Sequence, residues 1–283
     1  MNFPKFWAQG SYKNFFAWRW SDTSQAEAES LATAAARRVA ELFASGRPPK
    51  GGAYAYSNSD RPMREPVLGE FRTPDGTLAA AVTRNSYGCQ VLNTARIMFV
   101  DVDLPEPKRA GGGFFSKLFG KKPEPVPSGN PAEERVLAQA DTWAQKNPGW
   151  GWRVYRTKAG LRLLATHALF DPESADTQAA FDALGADPLY RRLCQIQKCF
   201  RARLTPKPWR CNQSNPPGRW PWPNAKAEAC FNAWESKYRN ACTGHATCEL
   251  IATLGNHSVH PEIQPILTTH DETTLATSKL KLA

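Results

Sequence analysis

The sequence predicts an α+β fold, with a mixed or antiparallel sheet core flanked by helices. Three observations carry this expectation. Apolar runs of strand length recur between turn signals, and stretches with helical periodicity and caps separate them. The strand-like runs also come in neighbouring pairs joined by tight turns, which antiparallel pairing permits. The 283 residues include 41% hydrophobic and 22% charged side chains, a balance suited to a globular chain with a full core.

The elements follow in order. Phe15 to Trp20 alternates as a short strand. Ser24 is a helix cap, followed by acids at Glu27 and Glu29 and an Ala-rich body; Leu31, Ala35, Val39, Leu42 and Phe43 form its expected apolar face, and Gly46 with Pro48-Pro49 ends it. Pro74-Asp75-Gly76 marks a turn between Gly69–Arg72 and Leu78–Thr83, a hairpin. Arg84 to Gly88 is a polar loop leading toward the run Arg96-Ile97-Met98-Phe99-Val100-Asp101-Val102-Asp103-Leu104-Pro105. Its apolar half suits a strand buried on both faces, and Pro105 ends it. Residues 106–131, with three consecutive glycines and several prolines, read as a flexible insertion. A helix is expected from Ala132 to Lys146. Gly151–Thr157 and Leu161–His167 then form a second hairpin around Lys158-Ala159-Gly160. Two helices follow, Glu173 to Leu184 and Pro188 to Lys198, the second capped by Asp187. Phe200 begins a strand, Pro216 to Pro223 is a Pro/Trp-rich loop, and Ala225 to Tyr238 is a helix. The tail beyond His260 shows no assignable element.

Lys and Arg total 36 against 26 Asp and Glu. The surplus is concentrated between Asp187 and Asn240, where eleven basic residues face three acidic ones. A basic surface of that density suits a polyanion, nucleic acid before membrane. No apolar run reaches the roughly 20 residues needed to span a bilayer, and the N-terminus lacks the layout of a signal peptide. Seven cysteines, an odd number, are expected as reduced thiols in a cytoplasmic protein. Cys242, His245 and Cys248 have ligand-like spacing, and Cys211 or Cys230 could complete a zinc tetrahedron. There is no phosphate-loop signature, no H-E-x-x-H and no G-x-S-x-G, which argues against P-loop ATPases, zinc peptidases and α/β hydrolases.

The chemistry gathers around Asp101 and Asp103. At spacing i, i+2 on a strand their side chains share a face, and two adjacent carboxylates call for a compensating cation or a shared proton. Arg162 interrupts an apolar strand and must meet something polar, phosphate or carboxylate. Arg201 and Arg203 share a strand face, with Lys207 and Arg210 close behind, a set suited to bidentate phosphate contacts.

In this order, the motifs resemble the catalytic core of archaeo-eukaryotic primases and primase-polymerases, over roughly residues 50 to 210. Asp101 and Asp103 match the metal-binding acidic pair. Thr157-Lys158-Ala159-Gly160-Leu161-Arg162-Leu163-Leu164 is similar to the hairpin motif that contacts nucleotide phosphates, with Arg162 where that family carries histidine. Asp187 takes the place of the later acid, and Cys199-Phe200-Arg201-Ala202-Arg203 that of the Phe-Arg strand. The resemblance implies an RRM-like catalytic core, with residues 1–105 as an N-terminal helix and strands leading into its D-x-D strand and 132–210 as its remainder; residues 211–283 read as a basic, aromatic C-terminal extension, helical and Cys-containing. It implies nucleotidyl transfer on nucleic acid, single-stranded or as a primed template, with Mg2+ or Mn2+ on Asp101, Asp103 and Asp187. Triphosphate would lie on Thr157, Lys158, Arg162, Arg201, Arg203 and Lys207, in a replication role beside a partner such as a helicase. Two other readings compete: a non-catalytic nucleic-acid-binding replication or mobile-element accessory protein, and a D-x-D glycosyltransferase.

Overall fold

The structure is a computed structural model that describes residues 1–47, 62–105 and 130–283. In chain order the strands and helices begin with β1 (Phe6–Tyr12), β2 (Phe15–Ser21) and α1 (Gln25–Ala44), then β3 (Val67–Arg72), β4 (Leu78–Arg84), β5 (Gln90–Thr94) and β6 (Phe99–Asp103). They continue with α2 (Pro131–Lys146), β7 (Gly151–Thr157), β8 (Gly160–Ala165), α3 (Ala175–Leu184), α4 (Pro188–Gln197) and β9 (Phe200–Arg203). The last are α5 (Ala225–Cys242), β10 (His245–Ala246), β11 (Cys248–Gly255), α6 (Gln264–Thr274) and β12 (Lys281–Leu282). This is an α+β fold with antiparallel sheets flanked by helices. The expected insertion lies almost wholly outside the described residues. Among the described residues, no helix is long and apolar enough to cross a membrane.

Two four-stranded antiparallel sheets form the body, in orders β3-β4-β5-β9 and β11-β7-β8-β6. Their inner faces share one core, in which Leu92, Phe99, Trp152, Leu163, Phe181 and Phe200 are all buried. The carboxylates of the second sheet lie on an edge strand, since among the described residues β6 pairs only with β8. At that pairing Gly160 lies opposite Asp103. A Cβ on Gly160 would stand 2.0 Å from the Val102 carbonyl oxygen, so the close approach of β8 to β6 requires glycine. The residues from 211 onward are not peripheral: β11 is the edge strand beside β7, and Ile263, Ile266 and Leu267 enter the main core.

The N-terminal unit differs from expectation in one respect. Ser24 caps α1 as predicted, accepting from the Glu27 amide. The buried face is the small-residue stripe Ala28, Ala32, Ala35, Ala36 and Ala40, while Leu31 and Phe43 are exposed. The β1–β2 hairpin presses its backbone against the helix at Gly10, where a Cβ would come within 2.2 Å of the Ala32 carbonyl carbon. Backbone contact that close leaves room only for alanine, so the larger residues turn outward.

A candidate acid-and-cation site below strand β6

β6 carries Asp101 and Asp103 on one face, and its register sets Asp101 directly opposite Arg162 on β8. The Arg162 side chain is buried, and its Nε donates to Asp101 Oδ1 at 3.0 Å. Its Nη1 donates to the Arg203 carbonyl oxygen at 2.9 Å and lies 3.4 Å from His270 Nε2. A guanidinium only donates, so His270 Nε2 acts as the acceptor and its proton sits on Nδ1, 2.9 Å from Asp271 Oδ1. Burial, ahead of all other influences, holds the His270 pKa below its ordinary value. Asp271 in turn pairs with Arg153. A polar chain thus runs from the D-x-D strand through Arg162 to α6.

Asp187 arrives by a different route. Its carboxylate caps α4, accepting from the Tyr190 amide at 2.7 Å, while its own amide donates to the Asp101 carbonyl oxygen at 2.9 Å. Tyr190 adds a second tie, its hydroxyl donating to the Phe99 carbonyl oxygen at 2.8 Å. The capping position therefore coincides with the expected site position, because the cap is fastened to β6. Asp101, Asp103 and Asp187 line one cavity of about 260 Å3. Burial first, then the charges of Asp187 and Asp101, push the Asp103 carboxyl up from the usual carboxylate range.

Arg203, Lys207 and Arg210 line the same cavity. None of the three forms a salt bridge or a side-chain hydrogen bond among the described residues. Burial and the neighbouring charges of Arg203 and Arg210 lower the Lys207 pKa, and burial with Arg203 lowers that of Arg210. Crowded, half-buried cations without a salt bridge among the described residues, offset only in part by Asp103 and the Trp209 ring, suit an external anion.

Several expected phosphate contacts are used otherwise. Arg201 forks onto Glu65, at 2.8 and 2.9 Å, and reaches Gln197; its charge is neutralised from residues outside the expected motif. Arg162 is likewise committed to Asp101. The Thr157 hydroxyl accepts from the Gly160 amide at 3.1 Å and closes the β7–β8 turn, though it still lines the cavity. Lys158 is exposed and borders a neighbouring cavity instead. The zinc candidates do not assemble. Cys211 and Cys242 are neighbours, and burial followed by the Cys211 charge pushes the Cys242 thiol up to about 12. Cys248 is instead in the core near Arg162 and Thr274, pushed up by burial to about 11. His245 sits with Nδ1 3.2 Å from the Ala241 carbonyl oxygen. Among the described residues these four side chains do not gather as a metal-holding group.

The carboxylates fit a hard divalent ion better. Mg2+ is typically bound by one or two carboxylates, with water and phosphate oxygens completing its shell. Among the described residues no group of three or more His, Cys, Asp or Glu side chains is gathered closely enough to hold a metal. The donor set therefore suits an ion shared with a bound phosphate, not one caged by protein alone. No family model, no curated protein and no solved structure matches this chain.

Sequence reasoning missed His270 and Asp271, which support Arg162 from behind. A single histidine in a Thr-rich tail carries no signal of its own. Arg210 was visible as a nearby cation, but only the fold distinguishes it from the paired Arg201.

Proposed function

We propose that this chain is a nucleotidyltransferase of the primase-polymerase type, which binds a nucleoside triphosphate and joins it to a nucleic acid strand. The observation that carries the proposal is the one cavity lined by Asp101, Asp103 and Asp187 together with Arg203, Lys207 and Arg210, cations with no salt bridge among the described residues. Carboxylates beside unneutralised cations suit phosphoryl transfer, where a metal–triphosphate must be held and its developing charge stabilised. The order β6-α2-β7-β8-α3, with β8 lying between β6 and β7, agrees with an RRM-like half. Carboxylates drawn from Asp101, Asp103 and Asp187, one or two at a time, would hold Mg2+ or Mn2+ together with phosphate oxygens. The ion supplies Lewis-acid polarisation of phosphoryl oxygens and lowers the pKa of an attacking hydroxyl. Arg203, Lys207 and Arg210 bind and orient the triphosphate. Arg162 fixes the Asp101 carboxylate, and His270 fixes Arg162.

A second reading is favoured by one contact. The Arg162–Asp101 ion pair occupies a carboxylate oxygen that a metal would use, as expected of a nucleic-acid-binding accessory protein without catalysis. Incubation with Mn2+, labelled nucleoside triphosphates and a primed template separates the two. Extension that is lost in Asp101→Ala supports the enzyme. Salt-sensitive strand binding without extension selects the accessory protein. Thermal stabilisation by sugar nucleotides alone, with Mn2+, would overturn both in favour of a glycosyltransferase.

A further inference from the structure

The acid-and-cation cavity continues on both sides. Toward β5 it adjoins a cavity of about 290 Å3 that shares Asp101 and Arg203 with it and is bordered by Tyr87. Toward the β7–β8 turn it adjoins one of about 490 Å3 that shares Thr157 and Arg210 and is bordered by Trp209. Tyr87 and Trp209 themselves meet edge to face, with ring centroids 5.3 Å apart and planes at 82°. Each is close to half exposed, Tyr87 at 45% and Trp209 at 48%. Lys207 Nζ lies 5.4 Å from the centre of the Trp209 ring, so an aromatic face and a phosphate-binding cation stand together.

The two rings are exposed, yet their backbones are held. Trp209 projects from a 3-10 turn, Pro208–Cys211, whose Pro208 and Cys211 are buried. Just before it, the Pro206 carbonyl oxygen accepts from the Tyr238 hydroxyl and the Cys89 thiol. Tyr87 sits in a turn closed by the Asn85 side chain, which accepts from the Tyr87 and Cys89 amides. Gly88, at φ +81°, packs there against Trp234, leaving no space for a Cβ. Large aromatic surface left open on a rigid support loses little entropy when a ligand covers it.

We infer that Tyr87 and Trp209 form a stacking platform for a nucleobase whose phosphate lies on Lys207, Arg203 and Arg210. A base has a π face and its 5′-phosphate follows within one sugar, the same sequence of aromatic and cationic groups that the protein presents. The base comes either from a free nucleoside triphosphate or from an unpaired position of a nucleic acid strand. This rests on the nucleotide reading of the cavity and extends it to a base-recognition element outside the three motifs.

The test compares inorganic tripolyphosphate, ATP and a short single-stranded oligonucleotide as ligands of wild type, Trp209→Ala and Trp209→Phe, by calorimetry at fixed salt. Trp209→Ala is expected to weaken at least one base-bearing ligand by about tenfold or more, to leave tripolyphosphate binding unchanged, and to be largely rescued in Trp209→Phe. Loss confined to ATP identifies the nucleotide as the source of the base, and loss confined to the oligonucleotide identifies the strand. Equal affinity of both base-bearing ligands for wild type and Trp209→Ala overturns the platform while leaving the phosphate site standing. Equal weakening of tripolyphosphate also overturns it, since Trp209 would then act only by placing Lys207. If wild type binds tripolyphosphate but neither base-bearing ligand, the platform and the nucleotide reading both fail. If it binds none of the three, the phosphate site fails with them.

Discussion

Arg162 and Arg201 lie within the sheets, and Arg203, Lys207 and Arg210 lie at the end of β9 and just beyond it. The first pair is neutralised, by Asp101 at 3.0 Å and by Glu65 at 2.8 Å. The other three share a cavity with the acids and have no such partner among the described residues. All five stand out as cations in the sequence, yet their surroundings differ. A cation held against a carboxylate within the sheets is part of the architecture, because removing it leaves an uncompensated charge. A half-buried cation beside other cations raises the energy of the empty protein slightly, and an incoming polyanion relieves it. Pairing, not the presence of positive charge, separates structure from function here.

The contrast can be broken most decisively on its structural side. Arg162→Ala and Arg201→Ala are each expected to cost roughly 3 kcal/mol of unfolding free energy, since each strands a carboxylate in a partly buried place; urea titration measures it. A loss below about 1 kcal/mol would put that residue in the other group. Gly160→Ala should cost about 2 kcal/mol by forcing β8 away from the Val102 carbonyl.

Smaller effects sharpen the functional side. Arg203→Ala, Lys207→Ala and Arg210→Ala should each lower tripolyphosphate affinity about tenfold, roughly 1.4 kcal/mol, with stability within about 0.5 kcal/mol of wild type. A variant that lost stability instead would reveal a hidden structural partner. The smallest expected change is pH-dependent. Burial and the charges of Asp187 and Asp101 raise the Asp103 pKa, so the folded state holds that proton more tightly than the unfolded chain does. Its stability contribution is present below the ordinary Asp range and is lost as pH rises through the raised folded value. Asp103→Asn should therefore be the more stable protein at neutral pH, by a margin that the open side of the site keeps small, and should converge with wild type on acidification. Mg2+ or Mn2+ should narrow the same gap by stabilising only the wild type, as differential scanning calorimetry would record.

Local signals read well where a few adjacent residues determine the outcome. The hairpin of β7 and β8 followed from two apolar runs and a short turn, and the caps of α1 and α4 followed from Ser24 and Asp187. α6 did not. Its sequence Gln-Pro-Ile-Leu-Thr-Thr-His-Asp-Glu-Thr-Thr contains four threonines, and Ile263 at its start provides no side-chain cap. β-branched residues weaken helix propensity, so this helix is stabilised by burying Ile266, Leu267 and His270 against distant strands. The apolar face of α1 was misread for a related reason: Leu31 and Phe43 look like core residues until Gly10 brings a backbone up to Ala32.

What the sequence determined by itself was the set of elements around the site and the D-x-D strand at its centre, because strand alternation, turn residues and caps act over a few positions. It also determined that Arg162 needs a polar partner, since no isolated guanidinium is buried without one. Which partner it took, that Asp187 joins Asp101 and Asp103 while capping a helix, and that Glu65 withdraws Arg201 while no carboxylate among the described residues salt-bridges Lys207 were decided by tertiary structure. Charges interact across space with whatever the fold brings near them, and that distance is not encoded in spacing along the chain.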